Sequence, residues 1–255
     1  MSRPLLVTGA SGYLGRELLR RSPGAVGASR GAGLRLDVRD GPAVRAAFER
    51  LRPAAVIHTA YRQDDRATTY GGAVAVAEAA AAVGARLVHL SSDVVFDGEK
   101  DSPYTEEDEP NPVTAYGRDK ADAERGVVEA HPGALLVRTS LIYGGVQPGP
   151  QELLAADPEA VFFTDEVRCP VQVGDLADAL LELSAGEEAG ILHVAGGDAL
   201  TRFEFARLLA PQVERVPGAT LAESGVVRAR NVALSSERAR ALLRTRLRGA
   251  REVLD

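Results

Sequence analysis

The chain has 255 residues, 45% of them hydrophobic and 26% charged, with a formal net charge of -6; this is the balance of an ordinary globular protein able to bury a sizeable core. The acidic balance and the lack of a basic block exclude nucleic acid as an expected partner, and the single Cys169 excludes an internal disulfide or a cysteine-cluster metal site, so no metal is expected. No apolar run reaches membrane-spanning length and the N-terminus leads straight into a strand-like run, so no membrane association and a cytoplasmic location are expected.

The first element is the apolar run Leu5-Leu6-Val7-Thr8, which reads as a buried parallel strand. It runs into Gly9-Ala10-Ser11-Gly12-Tyr13-Leu14-Gly15 and then the helical pattern Arg16 to Arg21. The G-x-x-G-x-x-G spacing is a variant of the dinucleotide fingerprint. Gly9 supplies the tight turn, Gly12 a close approach of backbone to pyrophosphate, and Gly15 close packing of helix on strand. Similar glycine turns also connect strands to helices without a ligand, so the motif gains weight only alongside Ser29-Arg30, Ser92, Tyr116 and Lys120.

A second strand, Ala25 to Ala28, ends in Ser29-Arg30, where the NAD fingerprint would place an acidic residue. A hydroxyl and a guanidinium suit a 2′-phosphate instead, so NADP(H) is the preferred cofactor and NAD(H) the secondary one. Leu34 to Val38 reads as a further strand, with Asp37 near the adenine. Asp40-Gly41-Pro42 opens a helix to about Leu51, with Asp as cap and Pro in the first turn. Ala54 to Ala60 is a third buried strand, followed by a polar loop from Tyr61 to Thr69 and an alanine-rich helix from Gly72 to Val83. Arg86 to Leu90 is the next strand, ending in Ser91-Ser92. His58 and His89 are read as buried strand-end residues.

The stretch Glu99 to Pro112 is acidic and proline-rich, hence irregular surface. A helix then starts near Val113 and carries Tyr116 and Lys120. Leu135 to Ser140 is a strand; strand and helix alternate throughout, so the fold class is α/β, a Rossmann-type doubly wound, mostly parallel sheet. Past Gly145 the pattern loosens, with short strands at Val161-Phe162-Phe163 and Cys169-Pro170-Val171, a helix from Asp175 and a strand at Ile191 to Val194. A capping box at Thr201 to Glu204 precedes a helix, and a last helix runs from Ser235 to Leu243. The expected division is a cofactor domain over residues 1–145 and a small substrate lobe over 146–255, with about 171–195 returning to the sheet. Cys169 is read as a packing residue.

Tyr116 and Lys120 stand four residues apart and share one helix face. A phenol is a poor acid at neutral pH, and a neighbouring ammonium lowers its pKa toward working range. Ser92, from a strand end, can hold a substrate oxygen. A nicotinamide alongside makes this a carbonyl reductase, with Tyr116 supplying the proton. All other basic residues but Lys100 are arginine, so a lysine at position 120 points to a task arginine cannot perform.

Thr8 to Gly15, Ser92, and Tyr116 with Lys120 together resemble the extended short-chain dehydrogenase/reductase superfamily. Leu90 to Gly98, Asn111 to Gly117, Arg138 to Tyr143 and Arg228 to Ser235 resemble, within it, the dTDP-4-dehydrorhamnose reductases. The resemblance covers nearly the whole chain. It implies a catalytic trio of Ser92, Tyr116 and Lys120, with Gly9, Gly12, Tyr13, Leu14 and Gly15 along the pyrophosphate and Ser29 and Arg30 beyond the second strand. It implies Asp37 and Val38 by the adenine, Ala60 and Tyr61 by the ribose, and Thr139 at the nicotinamide end. Asp93, Val94, Leu141 and Arg168 would meet the substrate, a nucleotide-activated 4-keto sugar, in a protein that can form a homodimer. Val94 and Leu141 stand where the family carries aromatic residues, and Thr69 where many extended members carry Asn; the first two thin the aromatic lining around a sugar. Two other functions share this pattern: a cofactor-binding regulator such as the reductase-like subunit of methionine adenosyltransferase, and an NAD-dependent sugar-nucleotide epimerase, against which Ser29-Arg30 weighs.

Overall fold

In the computed structural model, residues 3–31, 33–211 and 218–255 are described. The central element is a sheet of seven strands. Six are β1 (Leu5–Thr8), β2 (Val26–Ser29), β3 (Leu34–Arg35), β4 (Ala55–His58), β5 (Arg86–Ser92) and β6 (Leu135–Thr139). The seventh, Gly190–His193, lies at one edge, giving the order Gly190–His193, β6, β5, β4, β1, β2, β3. β1 pairs in parallel with both β2 and β4, β2 with β3, and β4 with β5. The N–H groups of Gly190 and Val194 bond to the carbonyls of Ala134 and Arg138, so that edge strand runs the same way as β6. Strands joined by helical crossovers must be parallel, and parallel sheets are covered on both faces. This is why Val56 and Ile57 of β4 and Leu87 and Val88 of β5 show no exposure. The α/β Rossmann-type sheet expected from the sequence is the one observed.

The helices follow their local signals. α1 (Tyr13–Arg21) starts at Gly12 with no side-chain cap. α2 (Gly41–Leu51) starts as the sequence predicts: the Asp40 carboxylate accepts from the Ala43 N–H and Pro42 occupies the first turn. α3 (Gly72–Ala82) is apolar on nearly every side, as a helix packed between sheet and neighbours must be. Its small residues Ala73, Val76, Ala77 and Ala80 form one core with Leu6, Val56, Leu87 and Phe48. α4 (Ala115–Ala130) begins two residues later than the pattern from Val113 suggests, because Thr114 Oγ1 accepts from the Gly117 N–H and caps the first turn.

Three other boundaries differ from the expectation. The strand expected over Leu34 to Val38 stops at Arg35: Leu36 still gives its N–H to the Ser29 carbonyl, and the chain then turns, with the Asp37 carbonyl accepting from the Asp40 N–H. The tail of the polar loop is a π-turn, Ala67–Gly71, that runs without a break into α3. The strand read at Cys169 to Val171 is two pieces, Val167–Arg168 and Val171–Gln172, divided by Pro170, which has no N–H to donate.

Two compact units are distinguished. One comprises the chain up to Ser91 with Arg118–Val137 and Ala177–Leu192; the other comprises Ser92–Gly117, Arg138–Leu176 and His193–Asp255. In the first, the Arg3 guanidinium donates to the carbonyls of Arg52, Pro53 and Val83, tying three chain segments at the amino ends of the strands. In the second, short strand pairs (Ile142–Tyr143 with Val171–Gln172, Val167–Arg168 with Leu200–Thr201) surround a core of Tyr143, Leu200, Phe205 and Ala250. The capping box predicted at Thr201 and Glu204 opens the helix Arg202–Leu209. The acidic stretch read as irregular surface is anchored: Tyr104 is buried, its ring stacks on Phe96 at 4.1 Å, and its backbone bonds to Ala233 and Ser235. A further helix, Ala250–Leu254, comes last in this unit. Among the described residues no helix is long and apolar enough to cross a membrane.

Phe48 is the largest fully buried side chain of the first core. Phe48→Ala should lower the free energy of unfolding by about 3–5 kcal/mol, read as a shift of the urea midpoint at unchanged slope.

Candidate active site

The carboxyl ends of four neighbouring parallel strands carry the residues that the sequence singled out: Gly9 follows β1, Ser29 ends β2, Thr59-Ala60 follows β4, and Ser92 ends β5. This is the edge at which open α/β sheets bind ligands.

Gly9 has φ +78, and a Cβ there would lie 2.7 Å from the Ala60 nitrogen and the Thr59 hydroxyl. A Cβ on Gly15 would overlap the Gly9 carbonyl oxygen and sit 2.8 Å from Ala10 Cα. Both positions therefore admit only glycine, and the turn keeps a bare backbone at the start of α1, a setting that suits an anion. Tyr13 is partly exposed and Leu14 buried beneath the turn. Beyond β2, Ser29 is buried and Arg30 exposed. Asp37 is partly exposed and paired with Arg39, whose hydrogen bonds hold its carboxyl down at about 2. Val38 is buried against Gly72. Thr69 is spent locally, donating to the Arg62 carbonyl and accepting the Arg62 N–H.

Lys120 is 4% exposed. Its Nζ donates to the Leu90 carbonyl of β5 at 2.6 Å and lies 5.7 Å from the centre of the Tyr61 ring. Burial pulls its pKa down to about 8, opposed by the Glu124 carboxylate. Beside it, His58 and His89 are register partners on β4 and β5 with stacked rings 5.2 Å apart, and both are buried as the sequence predicted. Burial first, and the Lys120 charge second, push His58 down to about 3 and His89 well below its usual value, so both are neutral. Thr8 Oγ1 lies 2.6 Å from His58 Nδ1.

Ser92 caps the 3-10 turn Asp93–Val95 and its Oγ donates to Asp93 Oδ1 at 3.1 Å. Gly117, next to the half-buried Tyr116, has no room for a side chain, since its Cβ would overlap the Val94 carbonyl. The start of α4 thus lies against the turn that Ser92 opens, while Lys120, one helical turn on, is tied to β5 two residues before Ser92. Thr139 is buried and donates to the Val194 carbonyl. Val94 and Leu141 are both partly exposed. Arg168 is buried in contact with Asp93 and Glu166. Cys169 is buried and its thiol is pushed up to about 11 by burial, which fits a packing residue.

Sequence reasoning passed over Ser140 and Glu166. Ser140 donates to Asp93 Oδ2 at 2.6 Å, and Glu166, 1% exposed, pairs with Arg168 at 2.8 Å. The signal available was the spacing Glu166-Val167-Arg168, which puts two opposite charges on one face of an extended segment.

A parallel sheet of this order, with a glycine turn after its first strand, defines a Rossmann-type dinucleotide-binding protein. More narrowly, the chain belongs to the RmlD substrate binding domain family, whose pattern matches residues 2–254. It is 34% identical over 229 residues to the dTDP-4-dehydrorhamnose reductase of Mycolicibacterium smegmatis, covering 81% of this chain and 68% of that one. It is 30% identical over 240 residues to methionine adenosyltransferase 2 subunit beta of Rattus norvegicus, covering 82% and 72%. Among solved structures, dTDP-4-dehydrorhamnose reductase from Bacillus anthracis in complex with NADP is similar at a TM-score of 0.88 and 25% identity, over 100% of this chain and 98% of that one.

Lys120 must give up its usual proton affinity to be buried, so the folded protein binds fewer protons than the unfolded chain between about pH 8 and the ordinary lysine pKa. Stability should rise with pH across that window. Lys120→Met removes the penalty and should stabilise the protein at pH 7 by on the order of 2–3 kcal/mol, with the gain shrinking toward pH 10 in urea unfolding.

Proposed function

We propose that the protein is an NADPH-dependent reductase acting on a keto group of a nucleotide-activated sugar. The observation that carries this reading is Lys120: an ammonium 4% exposed, hydrogen-bonded to the Leu90 carbonyl, one helical turn from Tyr116. The residues fit the cofactor. Gly9, Gly12 and Gly15 would hold the pyrophosphate on bare backbone, Ser29 and the exposed Arg30 the 2′-phosphate, and Asp37 and Val38 the adenine. Tyr13 and Leu14 would flank the turn, Ala60 and Tyr61 would approach the ribose, and Thr139 the nicotinamide end. When bound, NADPH supplies the hydride that a carbonyl carbon needs.

The chain supplies the rest. Ser92 orients the carbonyl oxygen by a hydrogen bond, and Tyr116 donates a proton to it as it becomes a hydroxyl. The charge on Lys120 stabilises the phenolate left behind. With its pKa at about 8, Lys120 keeps that charge at neutral pH and loses it in mildly alkaline solution. Asp93, Val94 and Leu141 line the substrate side in this reading, and the two aliphatic side chains there favour a sugar held by contacts other than ring stacking. Arg168 acts behind Asp93.

The likeness to methionine adenosyltransferase 2 subunit beta raises the second reading, a regulator that holds a cofactor. A regulator has no use for a buried ammonium that lowers stability, and the reductase reading accounts for it. An epimerase that retains NAD is disfavoured by Ser29-Arg30.

A panel of nucleotide-activated 4-keto sugars, assayed by NADPH oxidation, tests the function. Turnover of at least one member is expected, and none overturns the reading. Tyr116→Phe should lower kcat by roughly 10²–10⁴-fold with NADPH binding unchanged. Arg30→Ala should weaken NADPH binding while leaving NADH binding as it was, measured by fluorescence titration; equal affinities in the wild type would contradict the 2′-phosphate assignment.

A further inference from the structure

A buried chain of polar contacts leads away from Ser92 within its own unit. Ser92 Oγ donates to Asp93 Oδ1 at 3.1 Å, and Arg168 Nη1 lies 3.2 Å from the same oxygen. Ser140 Oγ holds the other carboxylate oxygen at 2.6 Å. Arg168 directs Nε and Nη2 to a single oxygen of Glu166, at 3.1 and 2.8 Å. Asp93, Arg168 and Glu166 are 2%, 5% and 1% exposed. The chain reaches solvent at Arg228, 3.5 Å from the second Glu166 oxygen. Two buried carboxyl groups held by one buried guanidinium, with a second, half-exposed one at the outer end, form an expensive arrangement that apolar packing could replace.

Resting on the reductase reading above, we propose that Glu166 and Arg168 are positioning residues that set the direction of the Ser92 hydroxyl through Asp93. Ser92 donates to Asp93 Oδ1, and the Arg168 Nη1 charge stands 3.2 Å from the same oxygen without an aligned hydrogen bond, drawing on that oxygen's charge. A hydroxyl that gives its proton fully to a carboxylate offers a substrate only lone pairs; one whose acceptor is partly taken by a guanidinium can turn its proton to a carbonyl oxygen. Glu166 fixes the plane of that guanidinium by accepting two of its N–H groups. Without it the fork can close on Asp93 with two donors and draw Oδ1 away from Ser92. Such a shift acts on the hydroxyl that meets the substrate oxygen.

The test is a double-mutant cycle of Ser92→Ala and Glu166→Gln, read as kcat and KM with NADPH and a keto-sugar nucleotide that the wild type reduces. Glu166→Gln is expected to lower kcat roughly 10–100-fold with the KM for NADPH unchanged. In the Ser92→Ala background the same change should cost no more than about twofold. Arg168→Lys, which keeps the charge but loses the fork, should lower kcat like Glu166→Gln. Equal losses from Glu166→Gln in both backgrounds, or an effect confined to KM, overturn the proposal. Circular dichroism checks each variant; should Glu166→Gln not fold, Arg168→Lys takes its place in the cycle, and failure of both to fold makes the pair structural and overturns the proposal too. Wild type that turns over no keto-sugar nucleotide defeats the reductase reading and this proposal together, whereas turnover with additive losses defeats this proposal alone.

Discussion

The hydrogen bond from Lys120 to the Leu90 carbonyl is the constraint on which the arrangement depends. An ammonium removed from water needs an acceptor, and here the acceptor is a strand carbonyl rather than a carboxylate. That bond ties α4 to β5 at Leu90. Helix geometry then sets Tyr116, one turn toward the N-terminus. Parallel pairing does the same for the other residues: four adjacent strands ending at one edge bring the Gly9 turn, Ser29, Ala60 and Ser92 to that edge.

The stacked His58 and His89 make sense beside this lysine. Two imidazoles of ordinary pKa would bring further positive charge close to an ammonium that is already costly to bury. Held dry between β4 and β5, they stay neutral, and among these three side chains Lys120 alone carries charge at neutral pH. In the other unit the electrostatic pattern is opposite. There the Asp93 and Glu166 carboxyl groups lie buried against the Arg168 guanidinium, and Ser140 donates to Asp93.

The parallel sheet, the glycine turn and the Asp40 cap were all legible in the sequence, because each depends on residues close together in the chain. So were Tyr116 and Lys120, whose relation is set by helical spacing alone. Structure was less legible where a distant partner decides it: Tyr104 is buried because its ring stacks on Phe96 and its backbone bonds to Ala233 and Ser235. Ser140 was missed for the same reason, whereas Glu166 was missed although its partner Arg168 stands two residues away. Ser140 is 47 positions from Asp93, and nothing in the local pattern of either announces the contact. From Phe162 to Gln172 the strands are two residues long, too short for periodicity to be seen.

Gly117 has a consequence for how such a protein can diversify. At Gly117 the start of α4 comes up against the main-chain carbonyl of Val94, an atom every residue at position 94 would supply. That approach to the helix carrying Tyr116 therefore does not depend on which side chain stands at position 94. In the reductase reading proposed above, exchanging it would alter the wall a ligand meets while the proposed proton donor stays where it was. A lineage can change what it recognises at this position without rebuilding how it reacts, and the glycine is what makes the two separable.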